Sequence, residues 1–355
     1  KFRVRKFMKL FKSLLVAPAT LGLLAPMSAT ANEVTINDFN PAEELAVTNS
    51  RVDGLEARLN NFEAGSFSET TSASFGSNFY VGAVESSATG EAVTFSYDFS
   101  MDLSTSFTGE DSLDVAVIGG NAGTTAVDGY MGGDDTEDDL VLDGISYTFP
   151  LGGATVIVGD GVGVDDMNTG ACAYSAFTDL LGDCGTSNVG GSADSGFAIG
   201  YDFGNGFTVA GGAAGGDSTS GYFTEEDAST IGLEVAYTSD TYGLSIAYTD
   251  DEADTYYSFQ GMLTPEGFPS ISVGYETDDD DADAIFAGLT FDEVGAGSVS
   301  LGIASTALSS DDYYQYELSY SYPINDGMTI TPGVFIAESA GDDETGVVVT
   351  TSFSF

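Results

Sequence analysis

From Ser66 onward the chain alternates apolar and polar residues, segment after segment. Val93, Phe95, Tyr97, Phe99, Met101 and Leu103 are interleaved with Thr94, Ser96, Asp98, Ser100 and Asp102. Successive side chains on a strand point to opposite faces, so this pattern is a β-strand with one apolar and one polar face. It recurs at Phe75, Phe79, Val81 and Ala83, at Phe197, Ile199, Tyr201 and Phe203, and at Ile231, Leu233, Val235 and Tyr237. Later copies are Tyr314, Tyr316, Leu318, Tyr320 and Tyr322, then Val347, Val349, Thr351, Phe353 and Phe355. About sixteen such segments can be counted, each near the ~9–11 residues a tilted strand needs to cross a bilayer.

The connections fall into two classes. Short turns are expected at Pro150 to Gly153, Gly204 to Gly206, Ser239 to Gly243, Thr264 to Pro269, Asp292 to Gly297 and Pro323 to Gly327. Longer, more acidic connections run from Gly119 to Asp139, Asp160 to Asp194, Gly211 to Ala228, Thr277 to Asp283 and Ala340 to Glu344. Strict alternation of short and long places the turns on one side of a membrane and the loops on the other. Lipid offers no partner to an open sheet edge, so the expected fold is all-β: a closed antiparallel transmembrane β-barrel of about 16 strands. Both chain ends then fall on the short-turn side, and Tyr and Phe near the strand ends fit aromatic girdles.

The 8 Lys and Arg all precede Ser66, and the sequence has no His or Trp, whereas all but seven of the 56 Asp and Glu follow it. Nucleic acid is excluded as a partner, because its binding depends on neutralising phosphates with Lys or Arg. Enzyme chemistry is also unexpected, since the barrel region has neither a base of neutral pKa nor an oxyanion-stabilising cation.

Ahead of the barrel, Lys9 and Lys12 precede an apolar stretch from Leu14 to Leu24, Pro26 and the small-residue site Ala29-Thr30-Ala31. This is the pattern of a leader cleaved after Ala31, with translation starting at Met8. Residues 1–31 are thus assigned to leader and signal peptide, 32–65 to a periplasmic linker with a short helix, and 66–355 to the barrel. In Glu43 to Ala64, Leu45, Val52, Leu55, Leu59 and Phe62 follow a heptad seam. It fits either a trimer-supporting coiled coil or an amphipathic helix on the periplasmic rim.

The stretches Met8-Lys9-Leu10-Phe11, Arg51-Val52-Asp53-Gly54-Leu55-Glu56, Thr105-Ser106-Phe107-Thr108-Gly109 and Ile330-Thr331-Pro332-Gly333-Val334 resemble those of cyanobacterial outer-membrane porins, related to the carbohydrate-selective porin family. The resemblance implies a sixteen-stranded trimeric barrel in outer-membrane lipid that passes small hydrophilic solutes, inorganic ions and sugars. Independently of it, the final alternating strand Thr351-Ser352-Phe353-Ser354-Phe355, ending on an aromatic, resembles the signal read by the outer-membrane assembly machinery. Two departures stand out: the surface-layer-homology module that would touch peptidoglycan is missing, and so are the basic residues usual in the barrel. The alternative function is a structural or surface-adhesin barrel with a plugged lumen.

Asp160 to Asp194 is the longest loop and the third on its side, the one that in porin-like barrels folds into the lumen. Asp165, Asp166, Asp179 and Asp183 are therefore the candidate pore constriction, with a solvent-exposed loop as the alternative. Cys172 and Cys184 within it are expected to form a disulfide in an oxidising envelope. Asp98, Asp102, Asp202, Glu234, Glu276 and Glu317 oppose the apolar stripe and should line the lumen, as a cation-attracting wall or simply as wetting of a water-filled interior. No cofactor is expected. The acidic runs Asp134 to Asp139 and Asp278 to Asp283 are candidates for weak Ca²⁺ or Mg²⁺ binding, against the plainer reading of solvated loops.

Overall fold

The computed structural model describes residues 71–85, 92–123, 125–190, 195–215, 223, 229–279, 282–305, 313–339 and 342–355. The leader, the linker and the heptad helix lie outside the described residues. The first eight strands are β1 (Thr71–Glu85), β2 (Thr94–Thr105), β3 (Ser112–Gly120), β4 (Val141–Leu151), β5 (Ala154–Asp160), β6 (Ser195–Asp202), β7 (Phe207–Gly215) and β8 (Ser229–Thr238). They are followed by β9 (Tyr242–Asp250), β10 (Thr255–Leu263), β11 (Ser270–Thr277), β12 (Asp283–Val294), β13 (Gly297–Ser305), β14 (Tyr314–Asn325), β15 (Met328–Ala337) and β16 (Glu344–Ser354).

Each strand pairs antiparallel with its neighbours in the chain, and β1 pairs with β16 to close the barrel. The closing register runs from Gly76 opposite Ser354 to Glu85 opposite Thr345. Two further bonds extend it: Phe75 N–H to the Phe355 carbonyl at 2.8 Å and Phe355 N–H to the Phe75 carbonyl at 3.0 Å. Every strand therefore has a partner on both sides, as a bilayer requires of its backbone. Tight turns join the strands at one end, for example β4 to β5 through Gly152, whose φ of 65° suits a residue without a Cβ.

Burial alternates with the sequence. Leu233, Ile246 and Val347 are 56%, 63% and 57% exposed, while their neighbours Glu234, Ala247 and Val348 are 4%, 4% and 0% exposed. The outward set forms an apolar belt around the barrel, far larger than the few hundred Å² of contiguous apolar surface a soluble protein tolerates. Facing hydrocarbon, the same belt costs nothing, so we read the barrel as membrane-spanning. No helix among the described residues is long and apolar enough to cross a membrane.

The buried core sits inside the barrel, where two long loops have folded in. L2 (residues 121–140) joins β3 to β4 and carries the short helix α1 (Asp128–Met131). L3 (residues 161–194) joins β5 to β6 and carries two 3-10 segments, Asp179–Gly185 and Ser187–Gly190.

Candidate functional site: two loops docked inside the barrel

L3 leaves β5 and runs along the inner wall. Val162 and Val164 are buried at its start, and a Cβ built on Gly232 of β8 would sit 2.6 Å from Val164. That wall glycine is what allows the loop to lie flat on the sheet. Further along, the backbone N–H groups of Thr169 and Gly170 donate to the Glu234 carboxylate at 2.6 and 3.0 Å. Ala171 N–H donates to Gln260 Oε1 at 2.8 Å, and Ala173 N–H to Ser272 Oγ at 2.9 Å.

The far end of the loop is held by Glu317 of β14. Its carboxylate accepts from Tyr174 Oη at 2.8 Å, from Phe177 N–H at 2.8 Å and from Thr178 N–H at 2.9 Å, and also from the Thr178 hydroxyl. The chain then reverses through Asp183, Cys184 and Gly185, with φ of 47°, 53° and 66°. On the way back, Val189 N–H donates to Glu276 of β11 at 3.0 Å. Gln260 Nε2 donates to the Asp183 carbonyl and to Thr186 Oγ1, both at 2.8 Å. A disulfide between Cys172 and Cys184 joins the outgoing arm to the returning one.

L2 docks on the neighbouring stretch of wall. Asp128 is buried and accepts from the Ser96 hydroxyl of β2 and from Thr125 N–H at 3.0 Å. Tyr130 packs against Phe335 of β15, with ring centroids 4.3 Å apart and planes tilted by 40°, and donates to Glu344 Oε2 at 2.7 Å. Val127 of L2 and Phe177 of L3 share one apolar cluster with Tyr80, Val84, Phe335 and Val348 of the wall. The loops also meet at Gly132 and Asp179, where a Cβ on Gly132 would come within 2.7 Å of Asp179 Oδ1.

The four candidate constriction residues all lie on the in-folded L3, with Asp165, Asp166, Asp179 and Asp183 exposed. Asp166 Oδ2 accepts from Gly163 N–H at 3.0 Å. Asp165 keeps an exposed edge, yet the loop and wall around it remove enough water to push its pKa above the ordinary carboxylate value. The nearby charges of Asp166 and Asp183 push in the same direction. Desolvation also raises the pKa of Asp166.

The six candidate wall residues all belong to the inward phase of their strands, but the expectation of an open carboxylate lining needs correction. Asp98, Glu234, Glu276 and Glu317 are 8%, 4%, 1% and 4% exposed. They lie beneath loops or between wall residues instead of facing open water. Asp98 accepts from Asn78 Nδ2 at 2.9 Å and Tyr80 Oη at 2.5 Å. Glu234, Glu276 and Glu317 satisfy backbone donors that L3 would otherwise bury unpaired, a cost of about 1–3 kcal/mol for each group. Asp102 and Asp202 remain exposed, and Asp202 Oδ1 also accepts from Gly204 N–H at 2.7 Å at the short-turn end.

The inward phase toward that end is mostly hydroxyl, with Ser74 opposite Asp102, Ser104 opposite Asp114, and Thr329 opposite Ser352. Sequence reasoning missed the docking of L2. The signal available was the apolar Ala126-Val127 and Tyr130-Met131 set in an otherwise acidic loop. Among the described residues no group of three or more Asp, Glu or Cys side chains converges to hold a metal ion directly.

No family profile matches the sequence, and no curated protein matches it either. Solved barrels do. A triple mutant of Rhodopseudomonas blastica porin superposes with a TM-score of 0.62 at 15% identity, covering 80% of this chain and 100% of that one. A loop-deletion mutant of OmpT, an outer membrane protein of Vibrio cholerae, superposes with a TM-score of 0.60 at 12% identity, covering 81% and 100%. At these identities the likeness is one of fold.

Proposed function

We propose that this chain is an outer-membrane channel for passive diffusion of small hydrophilic solutes and inorganic ions, favouring cations. The observation that carries this reading is the docked L3: a loop held on the inner wall by buried carboxylates and carrying four exposed aspartates. A hydroxyl-lined approach toward the short-turn end suits hydrated solutes, and the described residues include no Lys, Arg or His to attract anions. The solved barrels that share the fold include a porin, which supports the same reading. Trimer formation, sugar passage and a periplasmic N-terminal segment belong to this proposal as well.

Carboxylates around a water-filled path concentrate cations and repel anions within a Debye length, ~8 Å at physiological salt. Planar-bilayer recordings across a tenfold KCl gradient test the claim. A cation-selective reversal potential at low salt that shrinks at high salt is expected. A potential near zero or of anion-selective sign at low salt would reject it.

A second reading, a barrel plugged for a structural or adhesive role, is favoured by the contact of L2 with L3 through Val127 and Phe177. Absence of any conductance step from folded protein would select it.

A further inference from the structure

The two arms of L3 enclose a cavity of about 300 Å³ against β8, β9 and β10. Its floor includes Glu234, Ser245 and Ser258, and its rim includes Asp165 and Asp183. We propose that this eye of L3 holds one hydrated divalent cation, bound through its water shell by Asp165, Asp183, Glu234 and Ser258. The inference rests on the reading of the lumen as water-filled and names a ligand for the same loop.

The cavity selects by charge. Asp165, Asp183 and Glu234 bring three carboxylates to it, and no Lys, Arg or His occurs among the described residues to compensate them. Of the two side-chain amides at the cavity, Gln260 is already engaged, accepting from Ala171 N–H and donating to Asp183 and Thr186, while Asn168 Oδ1 is buried without a partner, an acceptor that suits a ligand's donors. An independent sign comes from Ser258, which is only 6% exposed, lies in the inward phase of β10 and lines the cavity. Its hydroxyl has no hydrogen-bond partner within the protein. The hydroxyl opens onto the cavity, so a water of the ion's shell can serve as its partner.

The site also selects by size. The carboxylates do not converge for direct ligation, so a bare ion would leave them unbridged. At about 30 Å³ for each water, the cavity has room for an ion with its six-water shell. Mg²⁺ dehydrates reluctantly, and its shell presents only donors, the complement of a wall of acceptors.

The test uses the full chain, folded in detergent, with Mg²⁺ in equilibrium dialysis against about 0.15 M KCl, where exposed charges are screened beyond ~8 Å. Cobalt(III) hexammine, a cation of similar shape whose ligands do not exchange, is the competitor. One saturable site is expected, with the hexammine displacing Mg²⁺. Asp165→Asn should weaken both ions at least tenfold and Ser258→Ala at least threefold, while Asp326→Asn in the short β14–β15 turn changes neither by more than twofold. Should Asp165→Asn fail to reach the compact form, Asp183→Asn serves in its place, because Asn tolerates the left-handed backbone there.

Absence of a saturable site, failure of the hexammine to compete, or indifference to both L3 and Ser258 substitutions would each overturn the inference. A barrel that conducts without binding Mg²⁺ defeats this inference alone. One that binds Mg²⁺ but never conducts defeats the channel reading alone.

Discussion

Tyr130 in L2 donates a 2.7 Å hydrogen bond to Glu344 at the start of β16, a residue 214 positions away in the chain. Desolvation, and then the acceptor Glu344, push the phenol's pKa well above its ordinary value, so the bond holds at every physiological pH. The contact turns L2 into a strap across the inside of its own barrel wall, beside the loop that forms the candidate constriction.

Loosening that strap should widen the path. Phe177→Ala removes a side chain, 7% exposed, that the two loops share, and truncating a buried Phe costs about 3–5 kcal/mol. The variant is expected to lose its compact, fast-migrating form at a lower temperature and to show larger single-channel conductance. Unchanged conductance would mean that the contact between L2 and L3 does not limit flow.

Glu317→Ala should have the stronger effect on L3. The carboxylate accepts from Tyr174, Phe177 and Thr178, and hydrogen bonds to charged groups are worth about 1.5–3 kcal/mol each. Hydrogen exchange of residues 173–179 should rise at least tenfold, while the amides of β1 and β16 stay protected. Glu317→Gln, which retains one acceptor, is expected to fall between the two.

Reduction of the Cys172–Cys184 bond frees a loop with a sequence separation of 12. Closing a loop of this size contributes about 3 kcal/mol in the chain-entropy picture. Labelling under denaturing, non-reducing conditions should find no free thiol. Reduced protein should keep its barrel yet give noisier current, because Glu234, Glu276 and Glu317 still hold the two arms.

Acid should act on Asp111 and Asp165 in opposite senses. Asp111 caps the β2–β3 turn, taking Tyr147 Oη at 2.6 Å and Thr108 N–H at 2.7 Å, and these bonds lower its pKa well below the ordinary value. A lowered folded-state pKa gives stability that is complete above the unfolded value, about 3.9, and is lost as pH falls through the folded one. Asp111→Asn should therefore melt lower than the parent at neutral pH, with the gap closing only in strong acid. Asp165 has a raised pKa, so its ionised form is the disfavoured one and its effect on stability runs the other way, worsening as pH rises through that value. Asp165→Asn should flatten that part of the pH profile, as read from the temperature at which the compact form is lost.

The period of two determined the strands, their faces and the closed barrel, because side-chain direction along a strand is a local property that adjacent residues decide. The same pattern assigned Glu234, Glu276 and Glu317 to the inner wall. What it could not tell was whether those carboxylates meet water or protein. Their partners are Thr169, Val189 and Phe177, at separations of 65, 87 and 140 residues. No periodicity encodes that choice, since it depends on where a loop settles to satisfy its own backbone donors. Only the closed barrel, with L2 and L3 docked inside it, decided which acidic groups became anchors and which stayed free to meet ions.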